Sequence, residues 1–454
     1  MRKGLIILSA VAMLTGCKVG PNYKRPEVAA PPQFRGAEGQ PAPESLADSK
    51  WFEVFRDETL QGLVKEALAA NYDIRIAAQR VIEAEGQVTA TRAALFPQIG
   101  LQGTASRTGT KTPVMSSAGG FLVASWELDL FGKIRRATEA ARAEMLSTQE
   151  NQKAVRQALI SQVALAYFTL REYDAELEYV NESLVTRAAS LKLVTARQEG
   201  GVSTKLDVDQ AQTLVASAGV QKAKLEKGVE QTENLINFLL GKPPGPVTRG
   251  QALTAQYQPP AIPAGIPSAL LDRRPDLRYA EQQLVAANAR VGVAKAAFFP
   301  TITLTGSGGY QTIDLVNIVD RSSGSYGMGG ALDLPIFDAG RRAGNYKSAK
   351  ARKEQLVINY QKAINNAFRD VSDALVGYAK AKQARASQEL LTTTLRSQSG
   401  LANLRYRGGV TSYLEVLDTE RQRLSEEQNL ALSRRDELSA MVQLYQALGG
   451  GWQE

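Results

Sequence analysis

There is no histidine anywhere in the 454 residues, and only one cysteine, Cys17. The first absence removes imidazole acid–base relays, Ser/His/Asp triads and nearly every transition-metal site. The second leaves no disulfide framework. Also missing is any run of 18 consecutive apolar residues, so no transmembrane helix is expected. No block of one charge stands out either: 54 Lys and Arg against 46 Asp and Glu give a formal charge of +8, with the two signs interspersed. That pattern describes a solvated surface rather than a nucleic-acid footprint, and no nucleic-acid partner is expected. With no convergent nucleophile or ligand set, an enzyme, a cofactor and a bound metal are all unexpected.

What is present begins at the N-terminus. Arg2 and Lys3 precede the apolar stretch LIILSAVAML, Leu5 to Leu14. A positive start and a short apolar core make a secretory signal that is too short to span a bilayer. It ends in LTGC, which looks like a bacterial lipobox: residues 1–16 would be removed and Cys17 acylated. Lys18 follows rather than an aspartate, which by resemblance to lipoprotein sorting rules points to the outer membrane. Lipid on Cys17 is the only attached group expected, and acyl chains anchor a protein without spanning anything. Residues 17–60 then read as a lipid-anchored extended arm, opening with the Pro-rich VGPNYKRPEVAAPPQF.

TRAALFPQIGLQG (Thr91 to Gly103) and AKAAFFPTITLTG (Ala294 to Gly306) both start as helix and, across a proline, begin to alternate apolar and polar residues. Pro97 and Pro300 stand 203 positions apart, and NYDIRIA (Asn71 to Ala77) meets RPDLRYA (Arg274 to Ala280) at the same offset. ELDLFGKIRR (Glu127 to Arg136) is echoed by ALDLPIFDAGRR (Ala331 to Arg342) with a small insertion. EGGVSTKLDV (Glu199 to Val208) matches RGGVTSYLEV (Arg407 to Val416) at an offset of 208. Conserved order and spacing within one chain indicate an internal duplication. The first repeat is 61–241, a Pro/Gly-rich linker covers 242–267, the second repeat is 268–449, and 450–454 is a tail.

Each repeat reads helix, strand, strand, very long helix, tight turn, long helix. The long helices are expected at 133–199, 204–240, 341–407 and 412–447. Lys133 to Glu199 contains neither Gly nor Pro, and as helix would run about 100 Å. Its partner keeps a 3.5-residue period through Val208, Ala211, Val215, Ala218, Lys222, Leu225, Val229, Thr232, Ile236 and Leu239, the mark of helices supercoiled side by side. A second seam runs through Leu414, Leu417, Leu424, Ala431, Leu438 and Tyr445. Both seams alone would also suit an antiparallel coiled-coil scaffold.

The strands, expected near 97–106, 121–131, 300–310 and 326–337, argue for more. Ile99, Leu101 and Ala105 alternate with Gln98, Gln102, Thr104 and Ser106; Leu122, Ala124, Trp126, Leu128 and Leu130 with Ser125, Glu127 and Asp129. Ile302, Leu304 and Tyr310 alternate with Thr301, Thr303, Thr305 and Ser307, and the last strand sets Tyr326, Met328, Leu332, Leu334 and Ile336 against Asp333. Aromatics lie at the ends: Phe96, Phe131, Phe298, Phe299 and Phe337. This is the pattern of outer-membrane strands. Half-buried strands of a soluble sheet are the other reading, but the long helices leave little globular body for such a sheet to cover. Four strands cannot close, and open edges in lipid leave backbone groups without partners. Copies must therefore share a barrel: two would give eight strands with a filled interior, three would give twelve and a lumen.

The motifs LTGCKVGPNYKRP, WELDLFGKIRR, IPSALLDRRPDLRYAEQQLVAANA, VAKAAFFPTITLTG and LPIFDAGRR run from Cys17 to the final ALGGGW. Together they resemble the outer-membrane factor family, the TolC-like channels of tripartite efflux and secretion systems, in its lipoprotein branch serving resistance–nodulation–division pumps. The resemblance implies a mixed α and β membrane protein: a homotrimeric, twelve-stranded transmembrane β-barrel in the outer membrane, continued by a twelve-helix periplasmic α-barrel. It also implies a passive conduit, with a periplasmic adaptor and an inner-membrane pump as partners.

Two constellations bear on that function. Gly200, Gly201, Val202 and Ser203, and likewise Gly408, Gly409, Val410 and Thr411, join the long helices by tight turns. Glycine supplies the left-handed conformation, and Ser203 or Thr411 is placed to cap the next helix. By resemblance these tips form the periplasmic mouth and touch the adaptor's helical hairpin. Beyond the second tip, Leu414 and Asp418 share a helix face with Arg421. By resemblance they match aperture-closing positions, with Arg421 paired to an acid on a neighbouring helix; an interhelix packing residue beside a surface salt bridge is the plainer alternative. Asp207 and Asp209 stand as candidates for the same network. A polypeptide secretion duct of the same fold and a pore-less lipid-anchored scaffold remain the competing functions, and the cargo is not legible.

Overall fold

The computed structural model describes residues 18–37, 44–109, 114–256, 263–313 and 321–452. Along the chain run α1 (Glu58–Ala70), α2 (Tyr72–Ala93), β1 (Gln98–Gly109), β2 (Val114–Leu128), α3 (Lys133–Glu199), α4 (Lys205–Leu239), α5 (Pro275–Ala296), β3 (Thr301–Thr312), β4 (Gly324–Asp333), α6 (Arg341–Arg407) and α7 (Tyr413–Ala447). α3 and α6 are unbroken helices of 67 residues each, and α4 and α7 have 35 each. Two compact units divide the chain: one takes residues up to 28, 79–150 and 276–363, the other 29–78, 151–275 and 364–454.

The first unit holds the sheet, in the order β1-β2-β3-β4 with every neighbour antiparallel. Its register gathers the apolar positions on one face: Leu101 opposes Leu122, Trp126 opposes Leu304, and Ile302 opposes Leu332. Gln98 opposite Ser125, and Glu127 opposite Thr303, belong to the other face. Directly opposed residues in an antiparallel pair share a face, so the alternation of each strand is kept across all four. Phe121, Val123 and Ala331 are among the apolar exceptions on the polar face. Among the described residues most of the apolar face is open: Leu101 is 80% exposed and Met328 91%, while Ala118, opposite Ala105, is buried. β1 and β4 are the edges of this sheet.

Several strand ends differ from the sequence expectation: β1 runs on to Gly109, and β2 already begins at Val114 rather than near 121. β2 stops at Leu128 rather than near 131, because Asp129 turns back to cap α3, its carboxylate accepting from the Ile134 and Arg135 amides at 2.9 Å each. β4 stops at Asp333, so Leu334 and Ile336 lie beyond the ladder. Pro335 has no N–H to give and holds Leu334 in its own restricted conformation. The helix-to-strand switches fall at the prolines: Phe96 N bonds Ala93 O at 3.0 Å, Phe299 N bonds Ala296 O at 3.1 Å, and β1 and β3 start next to Pro97 and Pro300.

In the second unit α1 buries Leu60, Leu63, Val64 and Ala67, the one-face spacing of an amphipathic helix. Asp57 caps it, one oxygen accepting from the Thr59 and Leu60 amides and the other from the Tyr167 hydroxyl at 2.7 Å. Phe55 meets Phe168 and Tyr445 edge-on at 6.4 and 6.2 Å. The α4 seam is buried at seven-residue steps, Ala211, Ala218, Leu225, Thr232 and Leu239. The α7 seam is buried at Leu424, Ala431, Leu438 and Tyr445 but not at Leu414, which is 65% exposed. The seam therefore stops short of the tip. Among the described residues no helix is long and apolar enough to cross a membrane.

Candidate functional site

Both helix–helix turns close by the same hydrogen-bond pair. At the end of α3, Val202 N reaches back to Arg197 O at 2.8 Å and Gly201 N to Gln198 O at 3.0 Å. At the end of α6, Val410 N bonds Arg405 O and Gly409 N bonds Tyr406 O, each at 3.0 Å. These are Schellman ends, and they require a left-handed residue, supplied by Gly201 (φ 76°) and Gly409 (φ 73°). Each turn then presents an apolar side chain to solvent: Val202 is 76% exposed and Val410 73%.

The caps sit one residue later than expected. Thr204, not Ser203, caps α4: its hydroxyl accepts from Asp207 N at 3.2 Å, while the Asp207 carboxylate accepts from Thr204 N at 2.8 Å. Ser412 occupies the cap position of α7 without a side-chain bond to the backbone, and the Thr411 hydroxyl donates instead to Glu415. Asp209 pairs with Lys205 at 2.6 Å. Asp207 and Asp209 are thus engaged within the first turns of α4.

Beneath the tips, Val194, Ala211, Ala402, Tyr406, Tyr413 and Val416 form a buried cluster. The Tyr406 and Tyr413 rings lie 5.2 Å apart, Tyr413 shares a hydrogen bond with Ser190 at 3.1 Å, and the Arg197 guanidinium covers Tyr406 at 4.6 Å. Burial pushes the Tyr413 hydroxyl above its ordinary pKa. The turns therefore stand on a rigid aromatic base that joins α3, α6 and α7.

Leu414, Asp418 and Arg421 come together on one face of α7. With Leu417 they line a groove of about 260 Å³ whose other wall is Gln210, Thr213 and Leu214 of α4. Arg421 pairs with Asp418 of its own helix at 3.6 Å rather than with an acid across the groove, and Gln422 donates to Asp418 at 2.7 Å. Within one chain this corner is an exposed leucine above an exposed, locally paired carboxylate.

A third constellation was not anticipated from the sequence. Glu420, Glu427 and Glu437 of α7 are buried. Glu420 accepts from Ser399 at 2.6 Å and Asn403 at 2.9 Å, Glu427 from Arg396 at 2.7 Å, and Glu437 from Arg385, all three reaching α6. On the α3 side, Arg435 pairs with Glu172 at 3.1 Å and Gln428 donates to Glu176 at 3.2 Å. Burial pushes the Glu172 carboxyl up, Arg435 pulls it back and the Glu176 carboxylate adds to the rise, leaving it at about 7. Burial raises Glu176 as well. The available signal was the placement of Glu420 and Glu427 three or four residues from Leu424 and Ala431, and of Glu437 beside Leu438. Cys17 lies outside the described residues, and among those described no group of His, Cys, Asp and Glu is gathered to hold a metal.

The family model described as outer membrane efflux protein matches residues 63–242 and 266–450. The solvent efflux pump outer membrane protein SrpC of Pseudomonas putida is 38% identical over 461 residues, covering 98% of this chain and 97% of that one. The cation efflux system protein CusC of Escherichia coli O6:H1 is 35% identical over 447 residues, covering 97% of each. Among solved structures, the open state of the Neisseria gonorrhoeae MtrE outer membrane channel superposes with a TM-score of 0.88 at 31% identity, covering 96% of this chain and 99% of that one.

Proposed function

The chain belongs to the outer membrane efflux protein family, and from that membership we propose that it is the exit duct of a tripartite efflux system, working as a homotrimer. As a family member it is an outer-membrane efflux channel protein. In the proposed assembly three copies give four strands each to a twelve-stranded barrel, and their long helices form a twelve-helix periplasmic tunnel. Cys17 carries the lipid anchor. The turns 200–203 and 408–411 meet the helical hairpin of a periplasmic adaptor, through which an inner-membrane pump of the resistance–nodulation–division type delivers cargo. The duct is passive. Leu414 and Asp418, repeated three times about the axis, narrow its periplasmic mouth, and Arg421 holds Asp418 in place.

The observation that carries this reading is the sheet: four strands with, among the described residues, one largely exposed apolar face and edges at β1 and β4. Such an edge in hydrocarbon must find another strand, and the only general supply is another copy. The turns support the mouth by pairing a rigid base with an exposed valine, the small apolar contact that a helical hairpin can cover. The names of the relatives span solvents and cations, so we infer a water-filled duct whose cargo is chosen at the pump. Native mass spectrometry of the detergent-extracted protein tests the assembly. Three copies are expected; a monomer or a dimer would contradict it.

A further inference from the structure

The residues that follow Cys17 are held in a fixed groove of the first unit. Val19 N donates to Phe131 O at 3.2 Å, at the corner between β2 and α3. Arg136, on the first turn of α3, is only 1% exposed. Its guanidinium donates to Val19 O at 3.2 Å, Gly20 O at 3.2 Å and the Asn22 side-chain oxygen at 3.0 Å, and pairs with Glu139 at 3.0 Å. Lys18 pairs with the same Glu139. From α5, Asn288 donates to Pro21 O at 2.9 Å, and Glu281 accepts from Tyr23 at 3.0 Å and from Arg25 at 2.7 Å.

Glycines make room for this threading. Gly20 has φ 106°, and a Cβ there would stand 2.5 Å from Gly292 Cα. A Cβ on Gly292 would in turn meet the Arg136 side chain at 2.9 Å, and one on Gly132 would stand 3.1 Å from Lys18 Cα. The arrangement is more than an arm resting on a surface. A buried guanidinium whose fork is spent on two arm carbonyls and an arm side chain is satisfied only while the arm is in place.

We propose that Arg136 is an anchor-positioning residue: with Asn288 and the Gly20–Gly292 contact it delivers the lipid-bearing N-terminus to the β2–α3 corner, so that the acyl chains enter the bilayer as part of the barrel rim rather than on a free tether. This rests on the reading of Cys17 as the acylated residue. Successive Cα atoms are about 3.8 Å apart, and Lys18 already abuts Gly132. Lys18, the residue after the attachment point in the sequence, therefore stands at the corner, where the Phe131 and Phe299 rings stack at 4.7 Å. Leu128 and Ile302 continue the apolar face from there. The clamp makes the anchor's depth and its position around the barrel properties of the fold.

The test uses the full-length protein in cells fed a diazirine-bearing fatty acid, irradiated in isolated outer membranes, with cross-linked peptides mapped by mass spectrometry. In the wild type, cross-links from the Cys17 acyl chains should cluster on residues 126–134 and 298–304. Arg136→Ala should lose that clustering while Cys17 stays acylated and the oligomer is recovered; Arg136→Lys, which lacks the fork, should lose much of it. If Arg136→Ala does not reach the outer membrane, Asn22→Ala and Asn288→Ala, each removing one contact, carry the same comparison. Acylated Cys17 with scattered cross-links in the wild type, or unchanged clustering in the variants, overturns the proposal. An unacylated Cys17 overturns the lipoprotein reading instead, and the proposal with it.

Discussion

Trp126 of β2 stands directly opposite Leu304 of β3 on the apolar face of the sheet, one position from the Glu127–Thr303 pair on the other face. If that face meets lipid, spin labels at positions 302 and 304 should be relaxed by a lipid-soluble quencher and a label at 303 by a water-soluble one. Uniform exposure of all three to the aqueous reagent would place the sheet outside the membrane.

Gly409 has a left-handed backbone, a conformation that costs other residues roughly 1–2 kcal/mol. A Cβ there would meet nothing within 4 Å, so the cost of Gly409→Val falls on the turn rather than on packing. Efflux should be abolished while the trimer still assembles. Resistance at the wild-type level in a susceptibility assay would remove the tip from the mechanism.

Glu437 is buried against Arg385, which also holds Glu389 at 2.9 Å. Glu437→Ala should destabilise the protein by about 3 kcal/mol, the low end for removing one partner of a buried pair, since Arg385 keeps its second acid. The double variant with Arg385→Ala should cost less than the two single changes added together, read from thermal unfolding in detergent. Full additivity would mean that the pair does not hold α6 to α7.

Glu172 titrates near 7, above the ordinary carboxylate value of 4.5. A raised carboxyl favours the protonated folded state, so its contribution is fully present below the ordinary value and is lost as pH rises through about 7. Glu172→Gln, neutral at every pH, should gain melting temperature relative to the wild type as pH is raised across that window. A difference that does not change with pH would show that the α3–α7 contact does not bind the proton.

The long helices were legible because a stretch without Gly or Pro between turn signals leaves few alternatives, and α3 spans Lys133–Glu199 as read. The β4 end was misjudged because alternation continues through Leu334 and Ile336, whereas Pro335 stops the ladder regardless of pattern. Ser203 and Thr204 are adjacent hydroxyls, and only Asp207, three residues beyond the second, completes a capping box. The acids on α7 were the least readable. Glu427 and Arg396 are far apart in sequence, and a buried pair between helices looks the same in one dimension as two solvated charges. The Arg136 clamp was hidden likewise, since its acceptors are backbone carbonyls that no residue type announces.

Copies of this chain are expected to make a pore, narrowed where Leu414 and Asp418 face the α4 wall. Single-channel recording in planar bilayers tests it most directly, comparing the purified wild-type protein with Leu414→Ala combined with Asp418→Ala. The account predicts small conductance steps for the wild type and clearly larger ones for the double variant; no steps from either protein would contradict it.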